Sequence, residues 1–264
     1  MLIHLSSWPE IDARLKTVKT VVVPIGSNEQ HGPTGLLGTD WMCPEIIAHA
    51  AEKQDGNLVV APTFNIGMAQ HHLAFAGTIS LRPSTFMAAI TDWVSSLSRH
   101  GFERIYFLNG HGGNVATIEA TFAEIYAEWS FVEEQPPFVL KLKNWWDLPG
   151  VNSLCNRIFP TGHGMHATPS EIAVTQAAYP DHIKTATYSP QIAPSVPPTE
   201  ISAKKRLPWS LVKRSANSAQ NTMVTNRLNT LNQTKKTWPL RAPTAPGANT
   251  SSAQKPARLS AKKP

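Results

Sequence analysis

The stretch "TVVVPIGSNEQHGPTGLLGTD", residues 20–40, joins an apolar, β-branched run to a loop rich in glycine and polar side chains. The apolar half predicts a buried strand, because a continuous β-branched run suits a strand covered on both faces. The polar half carries Glu29, His31 and Asp40 soon after that strand ends. These three side chains either lie in a solvated turn or converge on a cation.

The chain up to about residue 190 repeats this alternation of strand and helix. Further strand-like runs occupy residues 57–67, 104–110 and 137–146, and helical patterns occupy residues 43–53, 82–101, 114–129 and 170–178. Such alternation indicates βαβ units, so the sequence predicts an α/β fold around a mostly parallel sheet. Ligands of these sheets gather at the carboxyl ends of the strands. Both "GSNEQHG" and "NGHGGN" follow strand-like runs directly, which indicates a functional site at that edge.

Three polar segments supply candidate metal ligands. Carboxylates and imidazoles are the donors that Zn²⁺, Mn²⁺ and Fe²⁺ use in proteins. Besides the loop at 28–40, His111 lies in a glycine turn between a strand and a helix, and an ordinary helix start does not explain a histidine there. The segment "GHGMHATPSE" adds His163, His166 and Glu171. These are either ligands and a proton shuttle or a polar loop followed by a first-turn helix carboxylate.

Taken together, these segments resemble the creatininase family of metal-dependent amidohydrolases over residues 21 to about 195. The resemblance shows in "PIGSNEQHGPTGLLGTD", "GMAQHHLAFAGTISL", "FLNGHGGN" and "HATPSE", which occur in the family's order. It implies a three-layer α/β/α sandwich, two divalent metal ions (Zn, Mn or Fe) and a homo-oligomer. It also implies hydrolysis of a C–N bond in a small amide, cyclic amide or formamide by metal-activated water.

The resemblance implies a metal-binding role for five residues. Glu29 and His111 would bind one metal ion, and His31 would bind the second. Asp40 would bridge both ions, and Glu171 would be a further ligand of the second ion.

Two histidines are expected to act on the substrate. The resemblance implies that His166 donates or accepts the proton during catalysis and that His72 faces the substrate pocket. His71 adjoins His72, but in a strand-like run the two side chains would point to opposite sides. We therefore expect only one of them to reach the pocket.

One position departs from the creatinine-hydrolysing members, which carry a glutamate ligand two residues after the turn histidine. That position is Gly113 here. The "GHGGN" version is similar to relatives that act on formamides or mature peptide-derived cofactors. Creatinine is therefore not the expected substrate, whereas amide-type hydrolysis is. Trp145 and Trp146 are the candidates for the tryptophans that the family places near the pocket.

Charge divides the chain into two parts. Residues 1–195 hold 11 Lys and Arg against 17 Asp and Glu, a net charge of −6, whereas residues 196–264 hold 13 basic residues and one acid, a net charge of +12. We expect residues 1–195 to form the hydrolase domain and residues 196–264 to be a basic, disordered tail. The tail lacks the glycine-rich loop and final amphipathic helix of the family, so it is either a genuine extension or a frameshifted C-terminus.

Two other functions remain open from the sequence. The tail could bind nucleic acid or another acidic surface non-specifically through its charge, or the chain could keep the fold and lack catalysis. No apolar run approaches the ~20 residues needed to span a bilayer, no secretory signal is evident, and the two cysteines form no disulfide framework. We therefore expect a cytoplasmic protein without a membrane partner.

Overall fold

Four parallel strands form the sheet at the centre of the computed structural model, which describes residues 1–162 and 164–185. The strands stand in the order β2-β1-β3-β4. They comprise β1 (Thr20–Ile25), β2 (Val59–Val60), β3 (Arg104–Asn109) and β4 (Val139–Asn144). β1 and β3 pair along their whole length, with Ile25 opposite Asn109. Their carboxyl ends therefore meet, and the polar segments "GSNEQHG" and "GHGGN" start side by side.

Helices cover both sides of the sheet, which confirms the α/β sandwich. They are α1 (Trp8–Leu15), α2 (Thr39–Gln54), α3 (Pro83–Arg99), α4 (Val115–Phe131), α5 (Val151–Ile158) and α6 (Pro169–Ala178). Short 3-10 turns lie at Ile3–Leu5, Gln70–His72, Gly112–Asn114, Trp145–Asp147 and Pro180–His182.

The apolar core packs one face of the sheet against α3 and α4. The helix expected over residues 82–101 is confirmed as α3. Its apolar face lies on this core, because Phe86, Ile90 and Val94 are buried and Trp93 and Leu97 pack partly buried against the same cluster. Each fully buried side chain of this size stabilises the fold by ~1.5–3 kcal/mol relative to exposure. This core gives the loops at the carboxyl edge of the sheet a rigid base.

α2 begins four residues earlier than the sequence pattern predicts. It starts at Thr39, so Asp40 lies in its first turn and Pro44 lies inside the helix instead of near its start. The glycines that end β1 and β3, Gly26 and Gly110, press directly against the backbone of Asp40, where a Cβ atom would overlap it. The two strands therefore fix the position of Asp40 through its main chain.

The structure also shortens one expected strand and adds two helices. The strand expected over residues 57–67 is limited to Val59–Val60, and the helices α1 and α5 were not predicted. Residues 196–264 lie outside the described residues, so the division into a domain and a tail stays a prediction. Across the described ranges, no helix combines the length and apolar character that crossing a membrane requires.

Candidate metal centre

The loop after β1 is held in place by two backbone contacts. The amide of Ile79 donates to the carbonyl of Asn28 at 3.0 Å, and the amide of Glu29 donates to the carbonyl of Leu37 at 2.8 Å. These bonds tie the loop to its own far end and to the segment that precedes α3. The backbone positions from which the side chains of Glu29 and His31 extend are therefore fixed at the edge of the sheet.

Asp40 lies at the centre of the cluster, with one histidine on each of its carboxylate oxygens. His31 Nε2 is 2.8 Å from Oδ1, and His111 Nδ1 is 2.8 Å from Oδ2. The hydroxyl of Ser27 also donates to Oδ2 at 2.7 Å. All four residues are buried. A carboxylate whose two oxygens face two different imidazoles has the arrangement of a bridging ligand.

The other ring nitrogen of each of these histidines faces a backbone carbonyl. His31 Nδ1 is 3.1 Å from the carbonyl oxygen of Glu29, and His111 Nε2 is 2.9 Å from that of Met68. A carbonyl only accepts hydrogen bonds, so these nitrogens carry the ring protons. When the rings are neutral, the lone pairs therefore lie on the nitrogens that face Asp40. Protein metal sites commonly orient a ligating imidazole in this way.

Glu29 is fully buried, and one of its carboxylate oxygens has no hydrogen-bond partner among the described residues. Its Oε2 lies 3.0 Å from the Ser27 hydroxyl oxygen and 3.5 Å from His111 Nε2. The unpaired Oε1 lies 3.5 Å from His72 Nε2 and 3.4 Å from His166 Nδ1. Burying an unpaired carboxylate oxygen is costly. A cation or a donated proton beside Oε1 would remove that cost.

Both adjacent histidines of the 3-10 turn Gln70–His72 reach the cluster, so the expectation that only one would do so is wrong. The ring of His71 stacks on His111 at 5.7 Å, and the ring of His72 stacks on His166 at 4.4 Å. The expectation assumed an extended strand, in which neighbours point apart. A tight helical turn instead directs both side chains to the same edge.

Burial and mutual charge divide the ionisable groups into two sets. Burial and then the nearby Asp40 raise the pKa of Glu29 to about 7. Burial alone would lower the pKa of His31, but its hydrogen bond to Asp40 and the charge of that carboxylate outweigh burial and raise the pKa to about 9. His111 follows the same pattern, with its pKa raised. Burial alone would raise the pKa of Asp40, but contacts with His111 and His31 hold it well below its usual range.

The outer histidines are shifted in the opposite direction. Burial, followed by the charges of His31 and His72, lowers the pKa of His166 to about 4. Burial and then the charge of His71 lower the pKa of His72. The inner pair against Asp40 thus favours the charged form in the metal-free protein, and the outer pair favours the neutral form. A neutral imidazole is the form that can accept a proton at neutral pH.

Glu171 is buried but lies at the start of α6, where it forms a capping box with Thr168. Its carboxylate accepts from the backbone amide of Thr168, and burial raises its pKa to about 7. Its role as a metal ligand stays a prediction. His163 lies outside the described residues.

Ligand atoms come close enough to hold a cation in three combinations, counted over the described ranges only. All three share Glu29, which is joined by His31 and Asp40, by His71 and His111, or by His72 and His166. Each set of ligand atoms lies within 4.8 Å of one another. The structure therefore brings Glu29, His31, Asp40, His72, His111 and His166 together, and Glu171 belongs to none of the three groups.

Position 113 fits only a glycine in this arrangement. A Cβ atom there would overlap Nε2 of His111 and come within 3.0 Å of the Met68 carbonyl oxygen. The absence of a side chain at Gly113 thus leaves the hydrogen bond from His111 to Met68 undisturbed. Of the tryptophans proposed for the pocket, Trp145 is buried and Trp146 is half-buried, with ring centroids 6.0 Å apart.

Sequence reasoning missed the contributions of Ser27 and Gln30, although both stand within the "GSNEQHG" segment. The Ser27 hydroxyl contacts both carboxylates, and the Gln30 amide contacts two histidine rings. The available signal was their position next to the acidic and histidine residues, with Gln30 between Glu29 and His31 and Ser27 two residues before Glu29. Apart from Glu29, however, these partners come from segments 13 to 136 residues away.

Comparisons with known proteins give relatives in sequence and in fold. A family model described as creatinine amidohydrolase matches residues 4–230. The mycofactocin precursor peptide peptidase of Mycolicibacterium smegmatis is 37% identical over 111 residues, which cover 40% of this chain and 44% of the peptidase. The creatinine amidohydrolase of Pseudomonas putida is 26% identical over 185 residues, 66% of this chain and 70% of that enzyme.

A solved structure of a creatininase mutant, described as of Zn–Zn type, matches with a TM-score of 0.71 at 22% identity. The match covers 86% of this chain and 97% of that one. At this level of identity the likeness concerns the fold. The chain spans less than half the length of the peptidase relatives in sequence, 44% and 48%.

Proposed function

The chain belongs to the creatininase family, and from that premise we propose that it is a metal-dependent hydrolase of an amide-type C–N bond. The proposal covers open amides, cyclic amides and formamides. The observation that carries it is the pair of histidines on the two oxygens of Asp40, each with its other nitrogen bonded to a backbone carbonyl.

The donor set fits two divalent cations. We assign Glu29 and His111 to one ion and His31 to the other, with Asp40 shared between them. The raised pKa values of His31 and His111 support this assignment, because they reflect the negative charge of Asp40 between the two rings. Glu171 is our candidate for a further ligand of the second ion, with its Oε1 already accepting from the Thr168 amide. The oxygen and nitrogen donors suit Zn²⁺, Mn²⁺ or Fe²⁺.

The bound ions would supply hydroxide from coordinated water near neutral pH and polarise the scissile carbonyl. His166 is the residue that accepts and donates the proton during hydrolysis. Its ring is half-buried, neutral at pH 7 and 3.4 Å from Glu29 through Nδ1, so it can take a proton at the centre and return it to the leaving nitrogen. Protonation is needed because an amine anion is too poor a leaving group to depart. His72 lines the same side and contacts the substrate.

The substrate class is an amide, formamide or peptide bond, and not creatinine. Gly113 stands where creatinine-hydrolysing relatives carry a ligand, and a Cβ atom there would displace the His111 ring from its present position. The higher identity to a peptide peptidase, 37% against 26% for the creatinine amidohydrolase, favours an amide bond of peptide type. We further propose a homo-oligomer that works in the cytoplasm.

Elemental analysis of the purified full chain tests the proposal. We expect about two divalent ions per chain in the wild type and their loss in Asp40→Ala. Asp92→Ala is the matched control, because Asp92 is exposed on α3, and it should retain the metal. A panel of amides, formamides and short peptides then reports activity. Wild-type protein that binds no divalent ion after loading, or an Asp40→Ala variant that binds as much as the control, would contradict the proposal.

A further inference from the structure

The orientation of the Gln30 side-chain amide is fixed by its neighbour Gly32. The backbone amide of Gly32 lies 2.9 Å from Oε1 of Gln30. A backbone N–H only donates, so the oxygen of the Gln30 amide must face it. The NH₂ group therefore points the other way, towards the two stacked rings of His72 and His166.

The Gln30 NH₂ group determines which nitrogen of His72 carries the proton. Nε2 of Gln30 lies 3.0 Å from Nδ1 of His72. Because an amide NH₂ only donates, the Nδ1 it faces must present a lone pair. A neutral His72 then carries its proton on Nε2, the atom 3.5 Å from the unpaired Oε1 of Glu29.

The backbone of the same residue determines the opposite form of His166. Nε2 of His166 lies 2.6 Å from the carbonyl oxygen of Gln30 and 3.0 Å from its side-chain Nε2. A ring nitrogen cannot donate to the carbonyl and accept from the amide at once. The contact with the carbonyl is the shorter, and a carbonyl oxygen can only accept, so Nε2 of His166 carries the proton. The lone pair of His166 is left on Nδ1, 3.4 Å from Oε1 of Glu29.

We propose that Gln30 is a positioning residue that gives His72 and His166 different roles on the same side of the centre. His72 presents an N–H donor through Nε2, and His166 presents a proton acceptor through Nδ1. The group of Glu29, His72 and His166 therefore serves the substrate and proton transfer, and not a cation. His72 could bind a cation through Nε2 only if the Gln30 side-chain amide rotated by 180°, and the Gly32 amide would then lose its acceptor. Its consequence for catalysis rests on the proposed function, but the assignment of the ring protons does not.

Long-range ¹H–¹⁵N correlation spectra of the metal-free full chain test this proposal. At mildly alkaline pH, where an ordinary imidazole is neutral, we expect the proton on Nε2 of His72 and on Nε2 of His166. Signals are assigned with His72→Gln and His166→Gln. A wild-type spectrum that places the His72 proton on Nδ1 would overturn the proposal without any variant of Gln30.

Gln30→Glu provides the second arm. The carboxylate still accepts from Gly32, but it offers an acceptor where the NH₂ group stood, so the proton of His72 should move from Nε2 to Nδ1. Gln135→Glu makes the same charge change at an exposed site and should leave both rings unchanged. A His72 signal that is the same in Gln30→Glu as in the control would also overturn the proposal. Metal content is measured separately, so failure of this inference and failure of the proposed metal site are distinguishable.

Discussion

Replacing Asp40 with asparagine should lower the pKa values of His31 and His111, the two histidines that contact its carboxylate. In the metal-free wild type the carboxylate holds the pKa of His31 at about 9, although burial acts to lower it. The substituted asparagine would keep the size of the side chain and remove its charge. We expect the pKa of His31 in Asp40→Asn to fall to its ordinary 6.5 or lower, because burial is then less opposed.

The size of this effect follows from the two pKa values. A fall from about 9 to 6.5 corresponds to a loss of about 3 kcal/mol in the net preference of His31 for its charged form, at 1.36 kcal/mol per pKa unit. Solvent screening takes little from it, because the His31 side chain has 0% exposure and that of Asp40 has 4%. The pKa of His111, which contacts the other oxygen, should fall in the same variant.

NMR titration of the histidine ring protons in chelator-treated protein measures both pKa values. Asp92→Asn is the control. It removes the same charge from an exposed residue of α3 that is distant in the sequence. A His31 pKa that remains near 9 in Asp40→Asn would refute the reasoning, because another group would then have to hold the proton.

Three further outcomes are expected. The raised pKa of His31 should stabilise the metal-free fold fully below pH 6.5, and this stabilisation should be lost as pH rises through about 9. Urea unfolding should show the free energy of unfolding falling across that range, and it should depend less on pH in His31→Gln. Gly113→Ala should push His111 off the Met68 carbonyl, lowering both the melting temperature and the metal content, and an unchanged metal content would contradict this. Phe86→Ala should reduce the free energy of unfolding by about 3–5 kcal/mol, since Phe86 is fully buried, and a loss below ~1 kcal/mol in denaturant titration would count against the described core.

Much of the fold could be predicted from local patterns. The sequences of β1 and β3 are continuous apolar runs of β-branched or aromatic residues, and the apolar residues of α3 recur at helical spacing. α1 was missed because it is short and largely exposed, although its start carries a recognisable signal: Ser7 and Glu10 form a capping box around Pro9. The start of α2 differs from the predicted residue 43 because a proline at position 44 is typical of a first turn, whereas Gly26 and Gly110 pack against Asp40 in a helix that starts at Thr39.

The site was predictable in its residue types and less so in its contacts. Glu29, His31, Asp40 and His111 could be chosen because carboxylates and imidazoles follow two adjacent strands. The inward turn of His71 depends on the 3-10 conformation of a short segment, which residue alternation does not encode. The bonds of Gln30 and Ser27 depend on distant segments meeting, so only tertiary structure reveals them.

Anomalous diffraction from crystals of zinc-loaded protein tests the metal centre most directly. The account predicts two zinc peaks, one near each carboxylate oxygen of Asp40, with His31 beside one peak and His111 beside the other. Zinc peaks located elsewhere, with none within ~2.5 Å of either Asp40 oxygen, would contradict it.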